Sequence, residues 1–372
     1  MYKKNIILIR SRAIDPNIQK VAKTLSNSGL VVTLLVWDRD GCFFEDKYKK
    51  YTTVRFKLKA PYDKISVLLF LPIWWLFEFF YLLFNRFDVI HVSDLDTFYP
   101  AIIIKILKKN ILYYTIYDFY SQNATRIVKL NKITLLLNTL IEKLEKLGLR
   151  FIDHLFLVDE SRKMQIKGAL YKKYSIIYNS PKDSIKSLVK INFDSNKTVL
   201  FYGGILDYSR GIVFALKAIT NIPNTIFVIA GIGPCEDIIF KFSQKYPEKI
   251  IYLGYVSYEK IIQYTYSSDA VLAFYDPNVP NNHFASPNKL YESMMCGKPI
   301  ITNEGTSMAK KVKEENCGLV VTYGDVKGLK NALLLIKNDF NLKKFLGINA
   351  RRAYETKYNW EIMEKKILSI YL

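Results

Sequence analysis

The chain reads as an α/β protein of two doubly wound parallel-sheet domains facing a cleft. Three observations predict this. Short apolar, β-rich runs alternate with longer helical stretches along the whole sequence, one turn-rich segment near 179–195 interrupts the alternation, and 372 residues exceed what a single α/β core usually sustains. Half of the residues are hydrophobic and 15% are aromatic, with no Gly/Ser, Gln/Asn or Pro-rich tract, so the chain is globular throughout.

Taken in order, NIILIR precedes a helical stretch over 16–29, VVTLLVW one over 64–85, FDVIHV one over 95–108, and ILYYTIY a long charged helix near 127–150. DHLFLV and YSIIYNSPKD then close the first series. A second series starts with KTVLFYGG and a helix from Arg210, and continues through TIFVIAG, IIYLGYV, AVLAFY, KPIITN and GLVV. Repeated βα units with helices on both faces make parallel sheets whose ligands bind outside the carboxyl ends of the strands. The expected domains are 1–180, 181–358 and a terminal helix, 359–372, that packs back on the first domain.

Fifty-four Lys and Arg against thirty-four Asp and Glu leave a net charge of +20, which attracts phosphate-bearing substrates, acidic lipid or nucleic acid. The basic residues are dispersed rather than gathered in one arm or helix, so nucleic acid is not an expected partner. Cys42, Cys235, Cys296 and Cys317 show no CxxC spacing, and only three His are present, so buried free thiols are expected rather than a metal site. The opening MYKKNIILIRSRAIDP has too short an apolar stretch for a secretory signal, and a reduced, cytoplasmic setting is expected.

The most hydrophobic segment is ISVLLFLPIWWLFEFFYLLF, residues 65–84. It approaches the ~20 residues of a membrane span, but Glu78 and Pro72 and its place inside the βα rhythm make it a helix of the first domain. Trp74, Trp75, Phe77, Phe79, Phe80 and Tyr81 surround it with more apolar surface than one core-facing stripe needs. Two readings stay open: a helix dipping into the lipid interface, and a helix buried on all sides.

Three strand ends carry glycine turns. KTVLFYGGILDYSRGI places Gly203 and Gly204 after a strand and Arg210 at the expected helix start, where free amides and the helix dipole favour phosphate. FVIAGIGPCEDII repeats the pattern with Gly231 and Gly233, and IIYLGYVSYEKI with Gly254. Each alone is an ordinary tight turn; three in succession line one sheet edge, where a nucleotide sits. In NNHFASPNKLYESMMCGKPIITNEG, Pro287 and Asn288 open a helix that carries Lys289 and Glu292 three residues apart on one face. A lysine there suits a phosphate and a carboxylate one turn later suits ribose hydroxyls; a surface ion pair is the plainer alternative.

With these segments in view, the chain resembles the family 4 retaining glycosyltransferases of the GT-B fold, two Rossmann-like domains about a cleft. SPNKLYESMMCGKPII, YGGILDYSRGI, AGIGP and LGYV carry the resemblance in the second domain, and IDPNIQKVAKTLSNSGLVVTLLVW and FDVIHVSDLDTFYPA in the first. It implies that Glu292 holds the donor ribose, that Arg210 and Lys289 face the diphosphate, that Tyr255 and Val256 contact the base through their backbone, and that Gly204 and the NNHFASP loop approach the sugar. The implied donor-binding set is Gly203, Gly204, Gly231, Gly233, Tyr255, Val256, Ser286, Pro287, Asn288, Leu290 and Glu292. Arg12, Asp15, Asp94 and Asp118 are implied on the acceptor side, with Arg210, Lys289 and Asp118 acting in the reaction.

The implied activity is hexosyl transfer with retained configuration. Its donor is a UDP- or GDP-linked sugar, a substrate rather than a resident cofactor, and its acceptor is a lipid-linked glycan, glycolipid or surface polysaccharide. From the positive charge and the interfacial reading of the 65–84 helix, the protein is expected at an anionic membrane, on the inner face of the cell membrane. Asp94-Leu95-Asp96 imitates a metal-binding DxD, but Asp94 is expected to N-cap the helix over 95–108, and no metal is expected. His91 is the first-domain histidine expected either at the cleft or packed at a strand end, and His154 is expected to be structural.

Two departures from the family pattern stand out: Phe284 occupies the position eight before Glu292 where many members carry a glutamate, and Asp118 and Tyr120, with no His, follow ILYYTIY. A non-catalytic relative that binds a glycan or a partner is the alternative reading. A nucleotide-sugar epimerase is a more distant one.

Overall fold

The computed structural model describes residues 3–41, 50–61, 65–123 and 132–372. Cys42 and the start of the long charged helix expected near 127 lie outside the described residues. The chain divides into two units, Met1–Tyr178 with Glu364–Leu372 and Asn179–Met363, against expected breaks after 180 and 358.

In the first unit, β1 (Asn5–Arg10), α1 (Pro16–Asn27), β2 (Val31–Asp38), β3 (Thr52–Lys57), α2 (Leu71–Phe84), β4 (Val89–Ser93), α3 (Phe98–Lys108) and β5 (Ile111–Ile116) follow in order. The short α4 (Tyr120–Asn123), α5 (Lys132–Gly148), β6 (His154–Leu157) and β7 (Tyr174–Ile176) complete the series. The strands form one seven-stranded sheet in the order β3-β2-β1-β4-β5-β6-β7, parallel at every pairing. Ile6, Ile7, Leu8 and Ile9 of β1 are all fully buried, which is why a central strand shows an unbroken apolar run.

Strand β3, TTVRFK, is an edge strand that the sequence reading missed. It is only half-buried and mixes polar with apolar residues, so it lacks that run. Helix α1 starts where Asp15 accepts from the Asn17 amide and Pro16 occupies the first turn, where a missing N–H costs nothing. The stretch expected as one helix over 64–85 is a 3-10 turn, Ile65–Leu69, followed by α2, because Pro72 fits only the first turn of an α-helix.

In the second unit, β8 (Thr198–Gly203), α6 (Ile212–Thr220), β9 (Thr225–Ala230), α7 (Glu236–Lys245), β10 (Ile250–Tyr252), α8 (Tyr258–Ser267) and β11 (Ala270–Ala273) come first. They lead into α9 (Asn288–Met295), β12 (Ile300–Asn303), α10 (Ser307–Glu314), β13 (Gly318–Val321), α11 (Val326–Asn338), α12 (Phe340–Ala353) and α13 (Trp360–Tyr371). The parallel sheet runs β10-β9-β8-β11-β12-β13. Strand order reverses beside β8 here and beside β1 in the first unit, and the crevice outside the carboxyl ends at such a reversal is where doubly wound sheets take ligands.

From Glu364 onward α13 belongs to the first unit. Glu364 accepts from Thr24 at 2.8 Å, Tyr113 Oη donates to the Ile370 carbonyl at 3.1 Å, and the buried Tyr371 hydroxyl meets His91 Nδ1. His91 therefore lies in the core, stacked on Phe156 with ring centroids 4.9 Å apart and with Nε2 2.6 Å from Thr115 Oγ1. Burial, with His154 nearby, lowers its pKa to about 3, so the cleft-facing reading of His91 does not hold. His154 is bound to Ser175 Oγ at 2.9 Å.

Candidate functional site

At the reversal point of the second sheet, the loops after β8, β9 and β10 are stitched together by backbone hydrogen bonds. Gly204 N donates to Ala230 O at 3.0 Å, Leu206 N to Ile232 O at 3.0 Å, and Gly231 N to Gly254 O at 2.8 Å. Gly231 has φ +139°, and a Cβ there would stand 1.8 Å from the Gly204 carbonyl oxygen, so no other residue fits without moving one of the loops. Gly203, Gly204, Gly231 and Gly233 thus share one edge, with the half-buried Val256 and the exposed Tyr255 just past β10.

Arg210 is not at a helix start. Asp207 accepts from Ser209 N at 2.9 Å and caps a single 3-10 turn, Tyr208–Arg210; Gly211, at φ 67°, then separates that turn from α6. Gly211 is pressed against β11's end, where an added Cβ would meet Phe274 at 2.6 Å, and Asp276 N donates to Ser209 O at 2.8 Å. This packing sets the Arg210 guanidinium over the Tyr275 ring, 3.9 Å from its centroid, with Nη1 donating to Asn282 Oδ1 at 3.3 Å.

Lys289 sits in the first turn of α9, after Pro287, which caps the helix without a side-chain hydrogen bond. Its Nζ lies 3.6 Å from the Tyr202 ring centroid and 3.6 Å from where a Cβ of Gly204 would be. Among the described residues neither Arg210 nor Lys289 forms an ion pair with a carboxylate. Burial, with Arg210 close by, lowers the Lys289 ammonium to about 7. Two cations that rest on tyrosine rings and repel each other are a prepared site for an anion.

Glu292, one turn further along α9, is 4% exposed and accepts a hydrogen bond from Tyr258. The Lys289–Glu292 pair is accordingly not a surface ion pair. Ser286 Oγ is 2.7 Å from Tyr291 Oη, and its carbonyl accepts from Asn179 at 3.0 Å. Leu290 is different: its side chain is fully buried and its amide donates to Pro287 O at 3.1 Å, so both are committed to the fold. In the loop before α9, Asn282 Nδ2 donates to Asp276 O at 2.9 Å, His283 Nδ1 is 2.6 Å from Gly305 O, and Phe284 is half-buried.

Asp118 belongs to the first unit, where a second cluster of charge stands at the reversal point beside β1. Arg10, the last residue of β1, donates Nε to Asp15 at 2.8 Å and pairs with Asp94. Asp94 stands before a 3-10 turn, Leu95–Thr97, but its side chain does not cap it, and Thr97 holds the cap position of α3. At φ 63° Asp94 turns its carboxylate back to accept from the amides of Tyr117 at 2.7 Å and Asp118 at 3.1 Å, as well as from Arg10, and so clamps β4's end to β5's. Asp96 accepts from Tyr120 Oη at 2.6 Å and from Ser11, with Arg39 at 3.7 Å. Asp118 is 43% exposed at its side chain and pairs with the buried Arg162 at 3.4 Å, and Arg12 interacts electrostatically with Tyr120 and Asp118.

Sequence reasoning missed Arg10, Arg39, Tyr202, Tyr258 and Tyr275, and named Asn282 only as part of the NNHFASP loop. Arg10 alone left a signal, a cation ending an otherwise apolar strand. A surface depression of about 770 Å³ lined by Asn331, Leu335, Asp339 and Phe340 lies at the C-terminal end of α11, which runs back from β13 toward the opposite edge of the sheet, away from these residues.

Residues 183–353 match the family described as Glycosyl transferases group 1. The chain is 24% identical over 182 residues to an uncharacterized glycosyltransferase of Methanocaldococcus jannaschii, covering 47% of this chain and 45% of that one. It is 24% identical over 180 residues to the phosphatidyl-myo-inositol mannosyltransferase of Mycobacterium leprae, covering 47% and 46%. It thus spans about half the length of the curated relatives it matches. Two solved structures are similar over nearly the full length: sucrose-phosphate synthase from Thermosynechococcus elongatus (TM-score 0.80, 18% identity, 99% and 98% covered) and HepE of Anabaena in complex with UDP and glucose (TM-score 0.72, 12% identity, 99% of each). Residues 183–353 thus resemble the Glycosyl transferases group 1 family, in a chain whose two parallel-sheet units match the fold of GT-B glycosyltransferase structures.

Proposed function

We propose that the protein is a retaining glycosyltransferase of the family 4 type, moving a hexose from a UDP- or GDP-linked donor to a lipid-linked glycan, glycolipid or surface polysaccharide. One observation carries the reading: Arg210 and Lys289 stand over Tyr275 and Tyr202 at the glycine-lined edge of the second sheet, with Glu292 buried one turn beyond Lys289. The match of residues 183–353 to Glycosyl transferases group 1 supports it, as do relatives named a phosphatidyl-myo-inositol mannosyltransferase and a capsular polysaccharide biosynthesis glycosyltransferase.

In this reading the diphosphate lies against Arg210, Lys289 and the glycine loops, Glu292 takes the ribose hydroxyls, and the base lies along Tyr255 and Val256. Breaking the glycosidic bond puts negative charge on the leaving β-phosphate. Preplaced cations bind that charge more strongly in the transition state than in the ground state, which is what lowers the barrier. Asp118 is assigned to the acceptor hydroxyl. The acceptor is met at an anionic membrane on the cytoplasmic side, which fits the net charge of +20.

A thermal-shift and hydrolysis screen against UDP-, GDP- and ADP-sugars, with the free diphosphates as controls, tests the reading. Stabilisation by one nucleotide series with slow release of its diphosphate supports it, and silence across all series refutes it. Nucleotide binding with no turnover on any acceptor instead favours a non-catalytic relative, the reading that Phe284 suggests.

A further inference from the structure

The helices on one face of the first sheet leave an outer surface that the donor chemistry does not use. Trp74 and Leu82 of α2, Phe98, Ala101, Ile102 and Ile104 of α3, and Leu149 after α5 pack into one core with Ile7, Ile9, Ile90 and Val92 of the sheet, so these helices form a single layer. Helix α2 lies along α3. The end of α5 is seated on α3, close enough that a Cβ on Gly148 would be 2.6 Å from Phe98.

Facing away from the sheet, this layer presents Ile73, Leu76, Phe80 and Phe84 from α2, Ile103, Ile106 and Leu107 from α3, and Leu136, Leu140, Leu144 and Leu147 from α5, each between 41% and 78% exposed. On each helix these positions recur at three- and four-residue spacing, forming stripes on the side opposite the core. Scattered exposed leucines need no explanation, whereas three adjoining stripes do.

The charge around the layer has one sign. Glu78, the acid of α2, is fully buried; α3 has no acid; Glu145 of α5 is buried and Glu142 is paired with Lys146 at 2.7 Å. Arg86, Lys109, Lys143 and Arg150 are exposed beside the stripes. A second copy docked face to face would bring two cationic rims together, whereas an anionic bilayer matches both the apolar stripes and the rim.

We propose that the outer faces of α2, α3 and α5 together form a docking surface that lies in the interface of an anionic lipid bilayer without crossing it. The proposal rests on, and deepens, the membrane-surface reading above. Helix α2, at 14 residues, is about 21 Å long against a hydrocarbon core of about 30 Å, and among the described residues no helix is long and apolar enough to cross a membrane. The tryptophans of α2 are not the inserting residues. Nε1 of Trp74 and of Trp75 both donate to the Asp96 carbonyl, at 2.9 and 3.0 Å, which holds the inner side of α2 on the core and its outer stripe facing out.

The test is flotation of the full chain with phosphatidylcholine vesicles, with and without phosphatidylglycerol, at low salt. The variants are Leu76→Ser/Phe80→Ser, Ile103→Ser/Leu107→Ser, Leu140→Ser/Leu144→Ser and Lys109→Glu/Lys143→Glu, each checked for an unchanged melting temperature. Each apolar pair lowers partitioning by about tenfold or more, and the charge pair removes the preference for phosphatidylglycerol. Failure of the wild type to float, loss with the α2 pair alone, or a solution dimer that the apolar pairs dissociate would overturn the proposal. Nucleotide-induced thermal shifts are read on the same variants without vesicles. A shift retained while flotation fails sinks this inference alone, and an absent shift with flotation intact sinks the transferase reading alone.

Discussion

The Lys289 ammonium makes donor binding depend on pH in a way that can be worked out in advance. Unliganded, it is lowered to about 7 by burial and by Arg210, so at pH about 7 roughly half of the molecules hold a second cation beside Tyr202, and above that most hold only Arg210. The diphosphate of a nucleotide sugar is esterified at both ends and keeps its charge over this range, so the titrating partner is the protein. A bound dianion favours the ammonium and raises its pKa, and binding above pH 7 must then take up a proton. Affinity therefore falls by about tenfold, or 1.4 kcal/mol, for each pH unit above 7 until the pKa of the complex is reached. Calorimetric titration of the nucleotide sugar that stabilises the protein, from pH about 7 to about 9, shows Kd rising toward a hundredfold. The Lys289→Met variant binds weakly and without that slope. A flat profile in the wild type, or the same slope in Lys289→Met, refutes the placement of the diphosphate at Lys289.

Three further outcomes follow from the same geometry. Glu292→Ala, which deletes a buried carboxylate 4% exposed, weakens nucleotide binding by about ten- to a hundredfold, while Tyr258→Phe, which only frees that carboxylate, costs less; unchanged affinity in Glu292→Ala removes the ribose assignment. Gly231→Ala places a methyl 1.8 Å from the Gly204 carbonyl oxygen and destabilises the protein by about 3 kcal/mol or more in urea unfolding; wild-type stability would show that the two loops separate readily. Glu78 is fully buried with both carboxyl oxygens lacking a hydrogen-bond partner among the described residues, and burial, with Asp96, raises its pKa well above the ordinary value. The folded state thus keeps a proton that the unfolded chain loses above pH about 4.3, so wild-type stability declines as pH rises from there. Glu78→Gln removes that decline and gains about 1–3 kcal/mol near neutral pH; a urea midpoint that tracks the wild type at every pH contradicts it.

The strands, their order along the chain and the two-sheet class were legible because burial on both faces leaves its mark residue by residue. NIILIR, VVTLLVW and TIFVIA are covered above and below along most of their length, so most of their positions are apolar, whereas TTVRFK at the sheet edge is covered only in part and escaped notice. The glycine turns and the α9 segment were legible for a similar reason, since a positive φ or a close approach restricts the residue at that position alone. What sits across a gap from a side chain is a long-range fact that no local pattern records.

Only the folded chain shows that Asp94 ties β4 to β5 instead of capping a helix, that Trp74 and Trp75 are fastened to the Asp96 carbonyl, and that Arg210 precedes its helix by a left-handed glycine. The same holds for Arg210 and Lys289 resting on Tyr275 and Tyr202. Residues 65 and more positions apart in sequence meet in both pairs, so their juxtaposition is decided by sheet order and loop packing. The sequence alone determined which residues could bear charge at the strand ends; the tertiary structure decided which of those charges are spent on the fold and which stand ready for an anion.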